Sequence, residues 1–387
     1  MPSLSNNSYG SDFDLAVKIN GRELNNKNAI ITGVMTDSGM PPEAGVCEVH
    51  MEILGYNSKN ESEISIDSDF AQVKVGQPLE ITMSNKFTSG RASNSSSVFT
   101  GFVERIECEI NNLGNVHFVI HGMDAKMWMM ANKLTEARGT GKGLEQIMKS
   151  VINNYSSQAK IGKISLLKDV KIQNTFYQVD QSDYEFLCML ADLTGSLFYV
   201  GADGKINFCA PGKLGKPSNK IKFKDNVVGG LKFSASVWGT PQTVKVTAID
   251  PSDPSKTISA TSSSVKSIGS GKASKQVVPQ NCSSQSTGTR FVNITDNSID
   301  SKDGAQARAD AEYNRRNLKF VETELLTQGN PKIAAGQGVD LSGFGAPFDN
   351  EYLIVRVMHL WGTFSDDKMY NTKSYLVANK FKPQGRV

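Results

Sequence analysis

Residues 176–208, FYQVDQSDYEFLCMLADLTGSLFYVGADGKINF, constrain the fold more than any other part of this chain. They read as a strand, a short capped helix, a glycine stop and a hairpin. Ser182 and Glu185 have the spacing of a capping box, in which each side chain satisfies the other residue's orphan backbone N–H. Phe186, Leu187, Leu190 and Leu193 then fall on one helical face. Gly195 stands where a left-handed residue stops a helix at no steric cost. Ser196–Val200 and Lys205–Cys209 flank a Gly-Ala-Asp-Gly turn, which signals a hairpin.

The order of these pieces resembles a motif of tail-hub proteins. There, Q-x-x-x-S-D-x-E-F-L-x-x-L, here starting at Gln178, precedes G-x-x-F-Y, here starting at Gly195. That family includes the phage late-control D proteins, the baseplate hubs of contractile-tailed phages and the N-terminal half of the type VI secretion spike protein, VgrG. Residues 332–382 are similar to the end of the family's second barrel. A Gly-rich strand precedes a strand carrying Tyr352, Val355, Val357 and His359, then a polar loop and a last strand. Alternation in this region fits a half-buried antiparallel ribbon on its own.

Length and composition set broader bounds. A chain of 387 residues exceeds one ordinary core, so two or more domains are expected. A net charge of +3 gives no argument for nucleic acid. The five cysteines, Cys47, Cys108, Cys188, Cys209 and Cys282, are scattered without a Cys-x-x-Cys pair. They read as buried, reduced thiols. The first residues lack the basic and apolar regions of a secretory signal. No run approaches the ~20 apolar residues that span a bilayer.

The expected fold class is mainly β with α insertions: two tandem small β-barrels and a helix-containing middle segment. Residues 1–125 read as the first barrel, with strands near 13–20, 29–37, 45–54, 72–83 and 98–122, the last region folding across Asn111–Asn115. Residues 126–219 form the middle segment, with a helix from Leu144 to Tyr155 before the hub motif. Leu144, Ile147, Met148, Val151 and Ile152 share one of its faces. Residues 220–382 read as the second barrel, with a helix at 303–320. Its Ser/Thr-rich stretch 251–289 is too poor in large apolar groups to bury a core of its own, and reads as a long, partly mobile excursion from a β-hairpin. Residues 383–387 form a tail. Val75-Gly76-Gln77-Pro78-Leu79-Glu80-Ile81 and Ala335-Gly336-Gln337-Gly338-Val339-Asp340-Leu341 read as a weak internal repeat.

The search for chemistry is negative. His117 and His121 share a strand face but stand roughly 13 Å apart at ~3.3 Å per residue, too far to clasp one ion. His50 and His359 read as isolated packing residues. Gly139-Thr140-Gly141-Lys142-Gly143 lacks the spacer and the hydroxyl of a phosphate loop and reads as a helix-start turn. Asp180, Asp183 and Glu185 suit a helix N-terminus, and Asp366 and Asp367 a solvated loop. No catalytic, cofactor-binding or metal-binding residue is assigned, no cofactor is expected, and the chain does not read as an enzyme.

Arg315, Arg316 and Lys319 form a basic face, as do Lys368, Lys373, Lys380 and Lys382. Neither group interleaves the aromatics of a stacking platform.

The resemblance implies a structural hub: a homotrimer in a phage virion tail or injection-particle baseplate, assembled in the bacterial cytoplasm. Its implied partners are a tail-tube or tube-initiator protein, a spike protein and baseplate wedge proteins. Membrane insertion is not expected, and DNA contact in the lumen would be weak and nonspecific. Phe381, Lys382 and Pro383 are the candidate spike contacts, where the chain leaves its last strand. Rival readings are a tail-associated cell-wall hydrolase and a carbohydrate-binding β-protein, the latter limited to Trp128, Trp238 and Trp361 as aromatic platforms.

Overall fold

In the computed structural model, β1 (Phe13–Ile19), β2 (Arg22–Glu23), β3 (Ala29–Gly39), β4 (Val46–Ile53), β5 (Pro78–Asn85), β6 (Asn94–Ile110) and β7 (Val116–Met123) form the first half of a large sheet. The structure describes residues 13–24, 29–40, 45–53, 73–85, 94–110, 116–139, 141–168, 176–211, 217–262, 267–277, 290–296, 298–365 and 370–382. The Asn111–Asn115 connection, Thr140, Cys282, Asp366, Asp367, Lys368 and Pro383 lie outside them.

The middle segment holds α1 (Lys126–Met130), β8 (Lys133–Arg138), α2 (Leu144–Asn153), β9 (Lys160–Ser165), β10 (Phe176–Ser182), α3 (Asp183–Thr194), β11 (Leu197–Val200) and β12 (Lys205–Cys209). There follow β13 (Asn219–Lys222), α4 (Phe223–Asn226), β14 (Val227–Ala235), β15 (Thr243–Asp250), β16 (Asp253–Ser262), β17 (Lys272–Ala273), α5 (Ser274–Val277) and β18 (Phe291–Thr295). The chain ends with α6 (Lys302–Leu318), β19 (Val321–Gln328), β20 (Gly338–Ser342), β21 (Glu351–Gly362), β22 (Tyr370–Ala378) and β23 (Lys380–Phe381). The fold is mainly β with α insertions, as the sequence predicts.

The largest sheet has 13 strands in the order β14-β19-β22-β21-β3-β4-β7-β6-β5-β1-β2, with β20 and β13 branching from β21. β21 makes it continuous. Its start pairs with β20, at Leu353 with Gly338, and the rest, from Arg356, pairs with β3. A bulge between Ile354 and Arg356 in its pairing with β22 marks the changeover. Such bulges bend a strand and increase its twist.

Core packing follows this crossing. The first core, around Val34, Val49, Ile81 and Ile120, also takes in Trp361 and Tyr370 from the far end of the chain. The middle core is built on the apolar faces of α2 and α3, and the five predicted residues of α2 are all buried. The Ser/Thr-rich stretch contains more order than its composition suggests. β16 pairs with β15, and Ala260 joins a core completed by Ala305, Ala309 and Tyr313 of α6. A strand of small residues suffices there because the helix facing it is Ala-rich.

The two repeat segments share local geometry. Gly76 and Gly336 have φ of +86° and +83°. The N–H of Gly76 donates to the Val103 carbonyl at 2.8 Å, and the N–H of Val103 donates to the Gln77 carbonyl at 2.9 Å. Gly336, Ile354 and Gln337 repeat these bonds at 2.8 and 2.9 Å. Glycine suits this left-handed position because it has no Cβ to clash.

Candidate functional site

The hub-like motif folds into a buried polar knot at the start of α3. Ser182 caps the helix: its Oγ accepts from the Glu185 N–H at 3.2 Å, and the Glu185 carboxylate accepts from the Ser182 N–H at 2.7 Å. These bonds hold the Glu185 carboxyl below its ordinary pKa, with the backbone bond the largest cause. Gly195 ends the helix at φ +60°, as its position predicts. Asp183, beside the cap, receives the Arg138 guanidinium at 2.9 Å and the Tyr155 hydroxyl at 2.9 Å. The side-chain amide of Gln178 donates to Asp183 at 3.1 Å and to the Gln181 carbonyl at 2.8 Å, and its oxygen accepts from Arg138 Nε at 2.9 Å. Burial and the bond to Asp183 push the Tyr155 phenol well above its ordinary pKa.

Local geometry explains why these residue types stand at this spacing. β10 pairs with β8 through a bulge between Gln178 and Gln181, and Asp180 within it takes φ of +47°. The bulge leaves Gln178 buried, directed at the helix start. Arg138 also stacks over Phe186, 5.7 Å from the ring centroid. One buried carboxylate thus joins β8, β10, the turn after α2 and α3. A charge this deep persists only when paired and hydrogen-bonded. The carboxylates of the motif therefore serve packing and capping.

The other candidates sort as follows. His50, His117 and His121 are less isolated than their sequence positions suggest. Antiparallel pairing of β4, β7 and β6 brings the His50 and His117 rings to 5.3 Å and His121 to 3.4 Å from Glu107 and 3.8 Å from Glu48. Among the described residues, no group of three or more His, Cys, Asp or Glu is placed to hold a metal ion. His359 is buried, with Nδ1 at 2.7 Å from the Tyr370 hydroxyl and Nε2 at 3.1 Å from the Ile333 carbonyl. Gly143 caps the start of α2, consistent with a helix-start turn.

The basic face on α6 is partly neutralised. Arg308, Arg315 and Arg316 all reach the buried Glu312 carboxylate, at 3.5, 2.8 and 2.5 Å. Cys47 and Cys209 are buried but Cys108 is exposed, contrary to the expectation that all the thiols are buried; residues 107–110, at the end of β6, are exposed on both faces. Trp361 is in the core and Trp128 packs edge-on to Phe102 at 5.6 Å, leaving Trp238, 92% exposed, as the open indole.

Phe381 lies beyond the last strand of the large sheet, β22, but in a two-stranded sheet of its own. It pairs with Lys272 in β23–β17 and packs against Phe320, with centroids 5.5 Å apart. Its ring is half-buried against the third core. Lys382 is exposed. Among the described residues no helix is long and apolar enough to cross a membrane.

Comparison with known proteins gives a family and a fold. The family model of the Alg8 N-terminal domain matches residues 13–361. No curated protein matches the chain. The fold is similar to the 43 kDa tail protein of prophage MuSo2 from Shewanella oneidensis, with a TM-score of 0.64 at 15% identity, over 94% of this chain and 98% of that one. It is similar to a tail protein of Neisseria meningitidis, with a TM-score of 0.63 at 10% identity, over 94% and 96%. An Escherichia coli component of the type VI secretion system shares the fold at a TM-score of 0.54 and 10% identity, over 95% of this chain and 79% of that one.

Proposed function

We propose that this chain, which belongs to the Alg8 N-terminal domain family, is the trimeric central hub of a contractile tail or related injection particle. The observation that carries the reading is the likeness of fold, over 94% of the chain, to two phage tail proteins. The motif supports it: its polar residues build a rigid joint, which suits a part that transmits force without turnover. The paired geometry of Gly76 and Gly336 supports it too. Three copies of a chain with two similar halves present six similar units, so one trimer can meet a six-fold tube on one side and a three-fold spike on the other.

The proposed partners are a tail-tube or tube-initiator protein, a spike protein and baseplate wedge proteins, within a virion tail or baseplate. The proposed spike contacts are Phe381, Lys382 and Pro383; Phe381 is half-buried against the third core and Lys382 is exposed. Light scattering on the purified chain, alone and mixed with its spike protein, tests the reading. A mass of three chains is expected in at least one condition. A monomer in both removes the hub.

A further inference from the structure

The third core has an apolar opening, and the tail starts from its wall. A cleft of about 530 Å³ is lined by Phe223, Leu231, Phe233, Gly343, Phe344 and Phe348. Its rings meet in pairs, Phe223 with Phe344 at 5.2 Å and Phe233 with Phe348 at 5.0 Å. Phe223 is 48% exposed, while Leu231, Phe233 and Phe344 pack against the third core. The cleft thus opens that core to solvent. Apolar openings of this kind mark interaction sites.

The root of the tail is fixed to this wall at three points. The Phe381 ring centroid lies 6.3 Å from that of Phe233. The side-chain amide of Asn350, two residues beyond Phe348, donates to the Lys380 carbonyl at 2.8 Å, and its oxygen accepts from the Ser270 N–H at 2.8 Å. Gly271 packs so closely that a Cβ there would overlap the Phe381 carbonyl group. Residues 383–387, Pro-Gln-Gly-Arg-Val, continue from this root and lie outside the described residues. At ~3.3–3.6 Å per residue, five residues reach about 16–18 Å, enough to pass from the Phe233 wall across the cleft. Pro383 and Val387 bring apolar groups, and Gly385 lets the chain bend between them.

We propose that residues 383–387 fold back as a strap over the aromatic cleft of their own chain, with Pro383 nearest Phe233 and Val387 toward the Phe223–Phe344 pair. Attachment favours this occupant over the other exposed aromatic groups. A segment on a short linker acts at an effective concentration on the order of millimolar, whereas a second copy acts only at its own concentration. Trp238 is held in its own turn, where its N–H donates to Ser236 Oγ at 3.1 Å and the Arg290 guanidinium donates to the Val237 carbonyl and to Thr240. Tyr177 belongs to the separate β10–β8 sheet of the middle segment. Pro383 is also a proposed spike contact, so on the hub reading, on which this clause alone rests, spike binding lifts the strap and uncovers the rings.

The test compares the full-length chain, the chain shortened after Lys382, the full-length chain with Val387→Asp, and the shortened chain with Phe223→Asp. Circular dichroism and melting verify that each is folded. Binding of the apolar fluorescent dye anilinonaphthalene sulfonate is measured over a range of dilutions, without spike protein, so the outcome does not depend on the hub reading. Shortening is expected to raise the bound-dye emission severalfold, and Val387→Asp to raise it less. Phe223→Asp in the shortened chain should remove most of the rise, because the dye then loses its cleft. Emission unchanged by shortening and by Val387→Asp overturns the strap. A rise that persists undiminished with Phe223→Asp places the dye elsewhere and also overturns it. Low emission that climbs on dilution of the full-length chain assigns the cover to a second copy, against the proposal.

Discussion

Arg356 and Asp37, 319 residues apart in sequence, form a two-pronged ion pair, Nε to Oδ1 at 2.9 Å and Nη2 to Oδ2 at 2.5 Å. The pair sits where β21 leaves β20 for β3, and the guanidinium also lies 5.2 Å from the Tyr375 ring centroid. It therefore pins the register of the joint between the two halves. Both side chains keep some solvent contact, which screens the charges, but the fork geometry adds to an ordinary surface pair. Arg356→Met is expected to cost about 1–2 kcal/mol. Arg356→Lys keeps the charge without the fork and should recover only part of that. Urea unfolding measures both. An Arg356→Met chain as stable as wild type would mean that the strand ladder alone holds the joint.

Gly76 and Gly336 share a conformation but not a neighbourhood. A Cβ at Gly76 would rest 3.6 Å from Trp128, whereas one at Gly336 would meet the Tyr199 ring at 2.2 Å. Alanine pays for the left-handed backbone at both sites, about 1–2 kcal/mol. At Gly336 it must also displace Tyr199, and overpacking typically adds about 1–3 kcal/mol. Gly336→Ala should therefore unfold at clearly lower urea than Gly76→Ala. Equal midpoints would show that Tyr199 moves aside freely.

The local grammar of the fold was legible in the sequence and its long-range pairing was not. The capping box at Ser182, the face of α2 and the Gly195 stop depend on residues within one or two turns, so spacing alone reveals them. β8 and β9 read KLTEAR and KIGKIS, with no apolar alternation to announce a strand; each is defined by its pairing with β10 or β12. Arg138 carries no local signal for the same reason, since its partners Gln178 and Asp183 come 40 or more residues later. Trp361 in the first core and Phe381 in the third likewise depend on chain crossings that no local pattern encodes.

Asp183 is the anion on which the motif's knot depends. Its side chain is 3% exposed and that of its partner Arg138 is 12% exposed. Asp183→Ala would leave the nearly buried guanidinium with only the half-exposed Glu136, 2.9 Å away, as counter-charge, at a cost of up to about 3–5 kcal/mol. Asp183→Asn keeps the shape and two of the hydrogen-bonding positions and should cost less. Chemical denaturation of the two variants, compared at one pH, checks the order. If Asp183→Ala proves the milder change, Arg138 finds other partners and the carboxylate is not the centre of the joint.

His359 gives the fold a pH dependence whose sign follows from burial. Desolvation lowers its pKa from 6.5 to about 4, against a smaller opposing effect of the Ile333 carbonyl. The neutral ring fits its site: one nitrogen accepts from the Tyr370 hydroxyl and the other donates to Ile333. Above pH 6.5 neither the folded nor the unfolded state binds the proton, and this contribution to stability is complete. As pH falls from 6.5 toward 4, the unfolded chain takes up the proton first, so stability drops. It is lost through the folded pKa, by about 3 kcal/mol in all. His359→Gln has nothing to titrate there. Whatever it costs at pH 7, its stability should fall less than that of the wild type between pH 7 and pH 4.5, as read by urea unfolding at each pH. Parallel losses in the two proteins would assign the acid sensitivity to groups other than His359.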